Sequence, residues 1–329
     1  MSERADTHRR SGLPALALAV LLAASSACQK EPAAPAPLAG GSTEPAATVR
    51  ELVDYVQRND LVGFARAAVP AEDHAQLEQA WREGRSRWPL TELPLDQKII
   101  PMVIALSQPG AEARLQATFD KQFAGQTRDL KNAARSLGLF GQQYVSKEGD
   151  YSDNERKHYV QVIGALSAWG QQAPLGDRAL ATTTIKRLAA AARQTGISSE
   201  EQVRSAGMTD TLRRLAPFFA EMKASFARYG LPLDTSLANL RTGLLQQQGD
   251  EASVRIHYPL GDREIDSVVR MQRRANHWYL SDYLHDAEQA RPPVPDPAAP
   301  TPAVPPPPEL QRPGRDPEQA DSAPLARAS

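Results

Sequence analysis

The chain has 329 residues with a single cysteine, and its 38 Lys and Arg against 39 Asp and Glu give a formal net charge of −1. Recognition of DNA or RNA needs a concentrated basic face, so this balanced composition argues against a nucleic-acid partner. Once the N-terminal leader and two Pro-rich ends are set aside, about 240 residues remain, enough for one large domain or two small ones.

The N-terminus has the pattern of an export signal. Arg4, Arg9 and Arg10 form a basic region, and residues 13–24 form an apolar stretch. This stretch is too short to span a bilayer, which takes roughly 20 apolar residues. We therefore predict that residues 1–27 are a cleaved signal peptide.

The residues before Cys28 decide how the signal is processed. With Ser26 and Ala27 ahead of Cys28, the leader resembles those of bacterial lipoproteins cleaved by signal peptidase II, although Ser25 stands where that family usually has Leu, Val or Ile. The resemblance implies an acyl chain such as palmitate on Cys28, which would anchor the protein to the lipid bilayer. Cleavage by signal peptidase I after Ala27 is the alternative, but it would leave an unpaired thiol in an oxidising compartment.

By the same resemblance, Gln29 rather than Asp after the cysteine implies the outer membrane. We expect a protein of the cell envelope that is held by a lipid anchor and faces the periplasm. Residues 28–46 are predicted to be the acylated cysteine and a Pro/Ala-rich tether, with a reach of up to ~50 Å. Residues 291–329 are predicted to be a disordered Pro-rich tail.

Residues 47–248 are predicted to form a helical body. Thr48 and Glu51 have the spacing of a capping box and predict a helix start, as do Ser152 and Glu155. Further helices are predicted over residues 128–146, where Leu130, Leu137 and Tyr144 recur at helical spacing, and over residues 177–194, 199–206, 210–229 and 234–247.

Apolar and polar residues alternate after Gly249 and predict three antiparallel strands over residues 249–290. The fold class is therefore α+β, predominantly helical, with a small C-terminal meander. The ending Trp278-Tyr-Leu280 resembles the last strands of cystatin-like or NTF2-like lipoprotein domains. The resemblance covers only these strands and implies no function.

The sequence carries no motif for nucleophilic catalysis, phosphate binding or zinc, so we predict no catalytic residue, cofactor or metal. The densest group of possible ligands is His277, Asp282, His285 and Asp286. Its spacing fits no zinc site, and we interpret these residues as surface polar groups.

Arg85, Arg87 and Trp88 are the candidate contact residues for a partner, because Arg and Trp are enriched at binding hot spots. The alternative is that Trp88 packs over the core while the arginines lie in solvent. We predict a non-catalytic binding protein whose partner is an envelope protein, the cell wall or an incoming toxin. The alternatives are an envelope hydrolase without a known motif and a small-ligand carrier with an apolar cavity.

Overall fold

The computed structural model describes residues 42–93, 96–148 and 151–292. The predicted signal peptide, Cys28, most of the tether and the Pro-rich tail from residue 293 onwards lie outside the described residues. Within the described ranges, no helix is both long enough and apolar enough to cross a bilayer.

Twelve α-helices account for most of the described residues, with a 3₁₀ turn at Leu90–Glu92 between the third and the fourth. The predominance of helix confirms the predicted fold class. The helices are α1 (Pro45–Gln57), α2 (Leu61–Ala67), α3 (Ala71–Arg82), α4 (Asp96–Ser107), α5 (Ala111–Gln122), α6 (Thr127–Lys147), α7 (Asp153–Gln172), α8 (Arg178–Gln194), α9 (Glu200–Ala206), α10 (Met208–Arg228), α11 (Leu233–Ala238) and α12 (Ser281–Gln289).

The two predicted capping boxes have different outcomes. The box at Ser152 is confirmed, since its backbone amide donates to Glu155 Oε2 at 2.7 Å and its hydroxyl accepts from the Glu155 amide. The box at Thr48 is wrong, because α1 begins three residues earlier at Pro45, whose fixed φ suits the first helical position. The Thr48 hydroxyl instead donates to the Trp278 carbonyl oxygen at 3.3 Å and links α1 to the sheet.

The C-terminal sheet is antiparallel and has four strands in the order β1 (Arg241–Gln248), β2 (Glu251–Leu260), β3 (Arg263–Arg274) and β4 (His277–Leu280). The predicted meander corresponds to β2, β3 and β4, and the predicted count of three strands was one too few. Two-residue turns connect the strands, and both residues of the last one, Ala275 and Asn276, have positive φ, as type I′ turns require.

The additional strand, β1, replaces the second half of the helix predicted over residues 234–247. The helix α11 ends at Ala238, and the chain then pairs with β2, with Leu244 opposite Val254. The pairing shifts register between Leu244 and Gln246, which marks a β-bulge. The Gln-rich end of this segment has good helix propensity, but pairing with β2 overrides the local preference.

The helices and the sheet share one hydrophobic core. Helix α7 covers the edge of β3 that β4 leaves open, where the Gln161 side-chain amide donates to the Asp266 carbonyl oxygen at 2.9 Å and its oxygen accepts from the Asp266 amide at 3.0 Å. One face of the sheet is open to solvent and carries exposed charged residues such as Arg255 and Glu264. The covered face carries the buried residues Ala252, Val254, Ile256, Tyr258 and Leu260 of β2 and Ile265, Val269 and Met271 of β3.

Candidate functional site

The loop with the three candidate contact residues follows α3. The Trp88 side chain is only 1% exposed, and its ring lies 6.4 Å from that of Phe64 and 5.9 Å from that of Tyr283. Arg87 donates to the Trp81 carbonyl oxygen at 3.1 Å, and Arg85 donates to the carbonyl oxygen of Ala290. Trp88 therefore packs in the core and presents no ring surface to a partner, while the two arginines bind backbone at helix ends.

A different surface of the chain is apolar and exposed. Leu137, Phe140 and Tyr144 of α6 are 69%, 68% and 48% exposed, and the rings of the last two stack with centroids 6.2 Å apart. The spacing i, i+3, i+7 places the three side chains along one side of the helix. We refer to Leu137, Phe140 and Tyr144 as the α6 stripe.

Helix α6 packs against α7 through a neighbouring face, so the α6 stripe stays uncovered. A Cβ atom at Gly138 would overlap the Ser167 side chain, and one at Gly141 would lie 3.3 Å from Ile163, so the two helices approach closely at these glycines. Leu137 and Tyr144 recur at helical spacing in the sequence, but spacing alone does not tell a buried side of a helix from an exposed one. The nearby glycines mark the side that packs.

Three carboxyl groups lie close together where the 3₁₀ turn meets α12: those of Glu92, Asp282 and Asp286. Burial and the neighbouring Asp286 raise the pKa of Glu92 well above its usual range, and the two carboxyl groups are hydrogen-bonded to each other. Burial and the nearby Glu155 also raise the pKa of Asp282. This hydrogen bond raises the pKa of Glu92 and opposes the increase in the pKa of Asp286, so Glu92 is the member of the pair that keeps its proton to higher pH. No sequence motif marks this pair, because its members are far apart in the chain.

A histidine of α7 also lies in the core. Burial lowers the pKa of His158 to about 4, and its ring lies 5.7 Å from that of Tyr159 and 6.2 Å from that of Tyr258. Among the described residues, neither ring nitrogen of His158 has a hydrogen-bond partner, nor does the Tyr258 hydroxyl. The imidazole is therefore neutral in the folded protein and packs as an aromatic ring.

Asp282 of the carboxyl cluster also lines a polar pocket of about 520 Å³. The ends of β1, β2 and β3 form one wall, and Ser281, Asp282 and His285 from the start of α12 form the other. Arg270 of β3 also lines the pocket and partly offsets the increase in the pKa of Asp282. Glu92 and His158 do not line it, so these two strongly perturbed groups are buried in the core rather than exposed to the pocket.

Three residues of the densest ligand group, Asp282, His285 and Asp286, are neighbours on α12, whereas His277 lies on β4. Asp282 and His285 line the pocket, Asp286 is bonded to Glu92, and His277 begins β4 opposite Arg274. The His285 ring nitrogen Nε2 lies 2.6 Å from the Gln289 side-chain amide. In the part of the chain that the structure describes, no three His, Cys, Asp or Glu are placed to hold a metal ion.

No family model matches the chain, and neither a curated protein nor a solved structure is significantly similar to it.

Proposed function

We propose that this chain is a membrane-anchored periplasmic lipoprotein that acts by binding another envelope protein. The binding surface is the α6 stripe. The observation that carries the binding function is the exposure of two large apolar side chains, Leu137 and Phe140, side by side on one helix. Contiguous apolar patches on a folded surface commonly mark interaction sites.

The binding free energy expected when a partner covers the α6 stripe supports this function. Full burial of a Leu or Phe side chain contributes about 1.5–3 kcal/mol, so the Leu137 and Phe140 side chains could supply several kcal/mol of binding free energy. The stacked ring of Tyr144 adds an aromatic surface with a polar end, a residue type that is enriched at binding hot spots. A protein partner with an apolar groove would fit this surface.

The position of the titratable groups also favours binding over catalysis. The groups with the most strongly shifted pKa, such as Glu92 and His158, are enclosed by the core rather than facing the pocket. Asp282 and His285 do face it, but Nε2 of His285 is already in contact with Gln289. The walls of the pocket are mainly polar, so it does not support a carrier with an apolar cavity.

A photo-crosslinking experiment tests the α6 stripe. A photoreactive amino acid replaces Tyr144 in the full-length chain, and irradiation of intact cells should give one defined adduct with another envelope protein. The double substitution Leu137→Ser and Phe140→Ser should abolish that adduct. Both positions are exposed, so this double variant should melt within a few degrees of the wild type.

The matched control changes two exposed leucines elsewhere on the surface. Leu244 and Leu245 of β1 are 53% and 54% exposed, and their replacement by serine should leave the adduct intact. If no defined adduct forms, or if the α6 double variant retains it, the α6 stripe is not the binding surface.

The membrane anchor has its own test. Replacing Cys28 with Ala removes the acylation site and should release the mature chain from membranes or block its processing. Membrane fractions are compared by immunoblot, with Ser26→Ala as a control that keeps a small residue next to the cysteine. Unchanged membrane association of the Cys28 variant would refute lipid anchoring.

A further inference from the structure

The polar pocket beside α12 is built from two neighbouring cross-strand rows of side chains. In antiparallel strands, residues that are directly opposite share a face, and so do residues two positions apart. All six side chains therefore start from the same face of the sheet. The rows are Gln246, Ser253 and Arg270, and Gln248, Glu251 and Gln272.

The first residues of α12 close the pocket on its remaining side. Since β4 pairs with only the last four residues of β3, the chain leaves the sheet at Ser281, next to Arg270. Asp282 and His285 then face the two rows from the first turns of α12. The volume of about 520 Å³ is within the range of small-molecule sites.

The chemistry of these walls selects among ligands. The pocket contains three glutamine amides and two serine hydroxyls, and these side chains can both donate and accept hydrogen bonds. Apolar lining is limited to Ala252 and Met271, which disfavours a hydrocarbon ligand. Arg270 lines the pocket together with two carboxyl groups, those of Glu251 and Asp282, so an anionic ligand would meet an unfavourable charge balance.

We propose that this pocket binds a short neutral saccharide, whose hydroxyl groups both donate and accept hydrogen bonds in the same way as the amide and hydroxyl side chains of the walls. The site is independent of the α6 stripe, because it is formed by the sheet and α12 rather than by α6. The two proposals can therefore fail separately.

Calorimetric titration of the full-length chain, kept free of sugar-based detergents, tests this proposal with tri-N-acetylchitotriose as the probe. Measurable binding is expected, whereas trigalacturonic acid, which is anionic, and glutamate, which is zwitterionic and anionic overall, should bind more weakly. Ligand-observed saturation-transfer NMR should show contact to the neutral sugar rings. Absence of binding of the neutral probe, or tighter binding of either charged probe, would overturn the proposal.

Substitutions on one strand supply a matched pair of variants. Gln246→Leu removes an amide from the pocket, whereas Gln247→Leu changes the next residue, which does not line it. Loss of one hydrogen bond should weaken binding of the neutral probe about tenfold in the first variant, with no change in the second. Gln272→Leu should have an effect similar to that of Gln246→Leu. Equal affinity for the probe in all three variants and the wild type would place binding elsewhere and refute the assignment.

Discussion

Replacement of His158 by Phe should remove a specific part of the acid sensitivity of this protein. Burial lowers the pKa of His158 to about 4, from 6.5 for an exposed histidine. Below pH 6.5 the unfolded chain binds a proton at this residue that the folded chain excludes, so the free energy of unfolding falls as the pH falls. The difference in pKa corresponds to about 3 kcal/mol of stability lost between pH 6.5 and pH 4.

The substitution to Phe keeps an aromatic ring of similar shape between Tyr159 and Tyr258 but cannot bind a proton. It also removes two ring nitrogens that have no hydrogen-bond partner among the described residues. At pH 7 the variant should therefore be at least as stable as the wild type. At pH 4 it should be more stable than the wild type by about 3 kcal/mol beyond any difference at pH 7.

Urea unfolding at a series of pH values from 7 to 4, followed by circular dichroism, measures this difference. Other groups also titrate in this range, so the relevant quantity is the wild-type value minus the variant value at each pH. A second histidine variant, His257→Phe, serves as a control, because His257 lies on the exposed face of the sheet beside Glu264. Parallel loss of stability in the wild type and the His158 variant would show that His158 does not titrate as an excluded buried group.

Three further substitutions test other parts of the fold. Trp88→Ala should lower the free energy of unfolding by about 3–5 kcal/mol in chemical denaturation, because it leaves a cavity in the core, and a loss below 1 kcal/mol would contradict that placement. Lys223→Met should cost about 1–3 kcal/mol in the same assay, because Lys223 Nζ donates to the Val56 carbonyl oxygen at 3.0 Å at the end of α1, and an unchanged stability would contradict this role. Glu92→Gln should make the stability less sensitive to rising pH: because the pKa of Glu92 is raised in the folded protein, its contribution is lost as the pH rises from the pKa of an unfolded glutamate, about 4.3, through the folded pKa, and glutamine cannot ionise. Thermal melts at a series of pH values from 4 upwards measure this effect, and a wild type and variant that lose equal stability over the series would contradict it.

The parts of the fold that were predicted correctly depend on short-range interactions. The helix start at Ser152 follows from two side chains that bond to backbone amides three residues apart. The predicted antiparallel meander of β2, β3 and β4 depends on tight turns whose residues tolerate positive φ, such as Gly261 and Asn276. The prediction at Thr48 was wrong because a competing local feature, Pro45, starts the same helix earlier.

The strand β1 and the candidate sites depended on long-range contacts. Residues 241–248 form a strand because β2 supplies the hydrogen-bond partners, which the local sequence does not reveal. The pocket combines rows from three strands with α12, and the carboxyl pair joins Glu92 to Asp286 across nearly two hundred residues. A search of the sequence for motifs at fixed spacing cannot find such groups.

The sequence by itself determined most of the helices, the hairpin turns and the α+β class, because these follow from periodicity, capping and turn chemistry within a few residues. It also supplied the prediction of an acyl anchor at Cys28. Only the tertiary structure decided that Trp88 is enclosed by the core and that Leu137 and Phe140 are left in solvent. All three are large apolar residues, and their exposure depends on which elements pack against them, a property of the whole fold.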